Sequence, residues 1–97
     1  MRVVALVTDL MDRSRLTNAI PDVTFALAPD AEVVILDLAR GVQQVASVRA
    51  ANPTARIVCY GPHVDDEAMA TARTAGADVV VARSQFFRSP RSVVAAP

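Results

Sequence analysis

The chain has 97 residues, 53% of them hydrophobic, and its ten basic and ten acidic side chains cancel to a formal net charge of zero. That length and composition describe one compact domain with one core, exclude a disordered or collagenous chain, and leave no global field to favour nucleic acid or an anionic membrane. All ten basic residues are arginine, which removes Schiff-base and P-loop lysine chemistry, and the single cysteine, Cys59, cannot form an internal disulfide or a thiolate metal cluster.

Val3 to Val7 is a short, nearly pure apolar run closing on Thr8 and Asp9, the pattern of a strand buried on both faces of a parallel sheet. From Met11 to Ile20 the residues Met11, Leu16, Ala19 and Ile20 are read as the apolar face of a first helix, with Asp12, Arg13 and Arg15 toward solvent and Pro21 as the stop. Val23 to Leu27 has the β-branched and aromatic content of a second strand, and Val33 to Leu36 is an aliphatic strand ending at Asp37. Five residues between those two strands are too few for a parallel crossover of about a dozen, so the second helix is expected to be missing or reduced to a turn. Gly41 to Ala51 carries Val42, Val45 and Val48 at threefold spacing before Asn52-Pro53 and reads as a short amphipathic helix. Ile57 to Tyr60 is the fourth strand. Asp65, Asp66 and Glu67 mark the first turn of the next helix, where the macrodipole favours carboxylates, and Gly76 is placed to close it in a left-handed conformation. Val79 to Ala82 is the fifth strand, and Ser84 or Ser89 starts a last short helix through Val93 and Val94. The alternation of strands and helices defines an α/β fold, a three-layer sandwich around a parallel sheet of about five strands, in a single domain spanning residues 1–97.

Ligands of open parallel sheets bind beyond the carboxyl ends of the strands. The residues there are Thr8 and Asp9, Asp37, Gly61-Pro62-His63, and Arg83-Ser84. The order of elements, the position of Asp37 and the Ala75-Gly76-Ala77-Asp78 turn before the last strand resemble receiver domains of bacterial response regulators, a flavodoxin-like fold, over nearly the whole chain. The resemblance implies that Asp37 stands at the phosphoacceptor position and Asp9 at one of two acidic metal-binding positions, with Thr8 at the other. It implies that Gly61 replaces the hydroxyl residue that turns toward the phosphoryl group and that Arg83 replaces a lysine. Asp9 and Asp37 are then left as a weak two-carboxylate site for Mg²⁺, which favours octahedral oxygen coordination, and no other cofactor is expected. Glycine supplies no hydrogen-bonding side chain, and the planar fork of arginine differs in reach from an ammonium. A salt bridge from Arg83 to Asp37 is the expected use of that arginine.

Other readings stand beside these. Asp37 at a strand end also suits a simple cap of the following turn. His63 is expected as a solvent-exposed loop histidine, Cys59 as an inert core thiol, and Tyr60 as a core residue on the opposite side of its strand. Phe86, Phe87 and Arg88 in the tail either close the core or form an interface; three tail arginines are too few for nucleic acid.

The leading expectation is a stand-alone pseudo-receiver, a cytoplasmic signalling or protein-interaction module that meets a protein partner or a second copy, with no nucleic acid or membrane. The alternative is a small-ligand or anion-binding domain using the crevice at the strand ends. A working phospho-receiver on Asp37 ranks below both, and no catalytic constellation points to an enzyme.

Overall fold

The computed structural model describes residues 1–62 and 66–95, so His63, Val64 and Asp65 lie outside the described residues. Four strands, β1 (Val3–Leu6), β2 (Val33–Asp37), β3 (Arg56–Gly61) and β4 (Val79–Ala82), form a parallel sheet in the order β1-β2-β3-β4. The helices are α1 (Leu10–Ala19), α2 (Gln44–Ala51), α3 (Asp66–Ala75), α4 (Arg83–Arg88) and α5 (Pro90–Ala95), and a 3₁₀ turn spans Leu38–Arg40.

Strand alternation divides the core in two. Val4, Val34, Leu36, Ile57, Cys59 and Val80 point to one face, where Val45 and Val48 of α2 and Met69 and Ala72 of α3 cover them. Val3, Ala5, Ile35, Val58 and Tyr60 point to the other, against Leu16 of α1, Phe86 of α4 and Val94 of α5. Both faces of the sheet are therefore dry, which explains why its strands read as continuous apolar runs. Cys59 and Tyr60 fall on opposite faces as the alternation requires, and burial pushes the Cys59 thiol up to about 12.

Val23 to Leu27, expected as a strand, is not one. A single parallel bridge, Val4 with Thr24, holds it to β1: the Ala5 N–H donates to the Thr24 carbonyl at 2.8 Å and the Thr24 N–H to the Val3 carbonyl at 3.1 Å. The sheet thus has four strands instead of five. With no second helix to bury its far side, the segment leaves the sheet after one residue pair and reaches Val33 through the Ala28–Ala31 turn. The tail also differs, forming two short helices instead of one. The first starts at Arg83, directly after β4, and the second starts at Pro90, whose missing N–H costs nothing at a helix entry.

At the amino end of the sheet, α3 closes as expected. Gly76 takes φ +117°, the Ala77 N–H donates to the Ala72 carbonyl at 3.0 Å, and Arg49 from α2 donates to the Gly76 carbonyl and to Asp78. Asp78 in turn accepts from the Ile57 N–H at 2.8 Å. A Cβ at position 76 would meet the Arg49 Cγ at 3.0 Å. Gly76→Ala is expected to destabilise the protein by about 1–2 kcal/mol, from the left-handed backbone and the displaced arginine. Urea unfolding checks this, with a lower midpoint and an unchanged slope as the outcome.

Candidate functional site

The carboxyl ends of the strands carry the polar residues, but they are grouped differently from the expected cluster. Asp9, exposed at the end of β1, caps α1: its Oδ1 accepts from the Asp12 N–H at 2.9 Å. Asp37 is 7% exposed and caps the 3₁₀ turn, its Oδ1 accepting from the Ala39 N–H at 2.9 Å. The capping use of Asp37 is therefore the one observed. Both acids keep their second carboxylate oxygen out of these caps. Among the described residues no three Cys, His, Asp or Glu side chains gather at metal-ligand spacing.

Arg83 does not pair with Asp37. Its two terminal nitrogens grip the carboxylate of Asp12, Nη1 on Oδ2 at 2.6 Å and Nη2 on Oδ1, while the Tyr60 hydroxyl donates to the same Oδ2 at 2.9 Å. Asp12 is fully buried, contrary to its expected place on the solvent side of α1. The reason is the phase of the helix. Asp12, Leu16 and Ile20 are four residues apart and share one face, whereas Met11 lies on a different face from Leu16 and is 67% exposed. Leu10, beside it, is 79% exposed.

A buried carboxylate persists only when paired and hydrogen-bonded. The Arg83 hydrogen bonds, helped by the one from Tyr60, hold the Asp12 carboxyl below the usual carboxylate range against the opposing effect of burial. The same contact, opposed by desolvation, holds Arg83 above its ordinary value; the charge of Asp37 adds to it from beyond salt-bridge reach. Burial, followed by the charge of Asp37 and the bond to Asp12, raises the Tyr60 phenol well above its usual range. Neither the phenol nor the guanidinium exchanges a proton near neutrality.

The cluster is roofed by aromatic rings. Tyr60 stacks on Phe86 at 4.9 Å, and Phe87 meets both edge-on at 5.0 Å. The Arg83 guanidinium lies over Phe87 at 4.9 Å and Tyr60 at 5.6 Å, within range of cation–π attraction. Of the two readings open for Phe86, closing the core or forming an interface, its complete burial shows the first. Phe87 is partly buried with it, and Arg88 is exposed. Gly61, at the switch-like position, is buried, and a Cβ there would stand 3.1 Å from that of Leu38. Its site is too tight for an added hydroxyl side chain without movement of the 3₁₀ turn.

No family model and no curated protein sequence matches the chain. Solved structures do. A response regulator from Thermotoga maritima superposes with a TM-score of 0.72 at 12% identity, covering 96% of each chain. The chain has a receiver fold. An orphan response regulator of H. pylori gives 0.74 at 17% identity, over 98% of this chain and 91% of that one. One from Burkholderia pseudomallei, solved with a phosphorylated aspartic acid, calcium and citrate, gives 0.73 at 17% identity, over 97% of this chain and 65% of that one. At these identities the likeness is one of fold.

Removing the Asp12 carboxylate leaves a guanidinium and a phenol without their common acceptor. Asp12→Ala is expected to cost about 3 kcal/mol, less than a wholly buried pair because the Arg83 side chain is 42% exposed. Because the folded-state pKa of Asp12 is depressed, the pair contributes fully above the unfolded value of about 3.9 and its contribution is lost as pH falls through the lower folded value. Stability measured between pH 6 and pH 2, values that bracket this window of about 4 and below, is expected to fall less steeply in Asp12→Asn than in the native chain.

Proposed function

We propose that this chain is a pseudo-receiver: a receiver-fold module that signals or scaffolds through contact with a protein partner or a second copy, and is not switched by phosphoryl transfer to Asp37. The observation that carries the reading is the engagement of Arg83. The cation best placed to neutralise a phosphoryl group on Asp37 is held at both terminal nitrogens by Asp12 and packed on two aromatic rings. Releasing it would strand a buried carboxylate at a cost of about 3 kcal/mol, below that of a wholly buried pair because the Arg83 side chain is 42% exposed. Three further features support the reading. Thr8 stands where a second acid would help hold Mg²⁺, Gly61 is packed on Leu38, and Asp37 already uses one oxygen on the Ala39 N–H.

Any Mg²⁺ at this end is held weakly, through the second oxygens of Asp9 and Asp37 with water completing its shell. The described titratable groups also favour a binding protein over an enzyme: the Cys59 thiol is pushed up to about 12 in the core and the Tyr60 phenol higher still. The zero net charge speaks for a protein partner over nucleic acid, and no described helix is long and apolar enough to cross a membrane.

Intact mass spectrometry after incubation with Mg²⁺ and acetyl phosphate is expected to return the unmodified chain. A stable phosphoryl adduct that disappears in Asp37→Asn overturns the proposal.

A further inference from the structure

The missing second helix leaves a groove beside the carboxyl end of β1. Just past the Thr24 bridge, a space of about 420 Å³ opens between Leu6, Val7 and Thr8 on one side and the Gln44, Ser47 and Val48 face of α2 on the other, with Phe25 at its border. Its size falls within the roughly 300–1,000 Å³ of small-molecule sites. It also lies where open parallel sheets take ligands, outside the strand ends.

One charged side chain lines the groove, and it is held in place. The Arg13 Nε donates to the Val7 carbonyl at 2.6 Å, and its guanidinium lies over the Phe25 ring at 4.9 Å. These two contacts fix the plane of the guanidinium and engage only one of its three nitrogens. Its two terminal nitrogens have no hydrogen-bond acceptor, and no carboxylate lies within ion-pair distance of them, among the described residues. Arg83, by contrast, has both terminal nitrogens on a carboxylate. The groove lining contains no Asp or Glu; Arg13 is its one charged side chain, beside the apolar Leu6, Val7, Phe25 and Val48 and the polar Thr8, Gln43, Gln44 and Ser47.

We propose that this groove binds a small monocarboxylic acid with an apolar body, its carboxylate on the two free nitrogens of Arg13 and its hydrocarbon against Leu6, Val7 and Val48. A fork-like guanidinium matches a carboxylate in plane and spacing, and the apolar walls select a ligand whose other end has nothing to hydrate. A single fixed cation suits a single charge better than a phosphate dianion. The site is separate from the Asp12–Arg83 cluster and does not depend on the state of Asp37.

The probe is hexanoate, compared with hexanamide, in a backbone amide NMR titration of the full chain. Hexanoate is expected to cause saturable shifts confined to Leu6 to Thr8, Phe25 and the first half of α2. Hexanamide on the native chain, and hexanoate on Arg13→Gln, are each expected to bind at least about tenfold more weakly, the loss of a charge-assisted pair. Ser47→Trp, on an exposed position of α2, is expected to fill the groove and abolish the shifts while keeping the native spectrum elsewhere. Equal binding of the amide and the acid, shifts centred on another surface, or undiminished binding in Ser47→Trp overturns the proposal. So does a ligand-free spectrum whose groove resonances move with protein concentration, because a second copy would then be the occupant. If Arg13→Gln does not fold, the acid–amide comparison and the tryptophan variant decide alone.

Discussion

One carboxylate organises the carboxyl end of this protein. Asp12 projects from the first turn of α1 into a dry space beneath the sheet end, where an unpartnered charge would be intolerable, and it accepts from both Tyr60 on β3 and Arg83 at the head of α4. Three elements distant in sequence are thereby tied at one point. The same bond to Asp12 anchors the phenol of Tyr60, whose ring packs in mutual contact with Phe86 and Phe87. The ion pair with Asp12 is made by the first residue of α4, which follows β4 directly.

The cation at this end of the sheet, Arg83, is engaged at both terminal nitrogens by the Asp12 carboxylate, with its side chain 42% exposed. The acids at the strand ends are committed as well, Asp9 to the start of α1 and Asp37 to the 3₁₀ turn. Asp9, Asp37 and Arg83, singled out by the receiver likeness, each bond to a group of their own chain, the two acids through one carboxylate oxygen and the arginine through both terminal nitrogens.

Much of the fold was legible because burial on both faces imposes uninterrupted apolar runs, and Val33–Asp37 and Val79–Ala82 show that pattern with clear ends. Gly76 was legible for a similar reason, since a left-handed helix end has few substitutes. Val23 to Leu27 misled because its composition suits a sheet, although the five residues before Val33 already implied that no full helix would cover it. In the site, the positions of Asp9, Asp37 and Arg83 could be read from the strand ends, but their partners could not, because partnership depends on how far each side chain reaches across elements. Asp12 was a missed signal. It lies four residues before Leu16 and eight before Ile20, and a carboxylate in register with a buried stripe demands a cation from elsewhere; the apolar character of Met11 placed it on the buried face with Leu16 and Ile20, where Asp12 stands instead.

The Val4–Thr24 bridge contributes two backbone hydrogen bonds, a small share of the sheet's total, yet it governs handedness. Helices α2 and α3 cover one face as the chain steps from β2 to β3 to β4, whereas α1 covers the opposite face. For the crossover after β1 to share their right-handed sense, the chain must first step outward, past the free edge of β1, before returning to β2. Thr24 is the residue that makes that outward step. A single bridged residue thus serves as a topological pivot that keeps the winding of the molecule consistent.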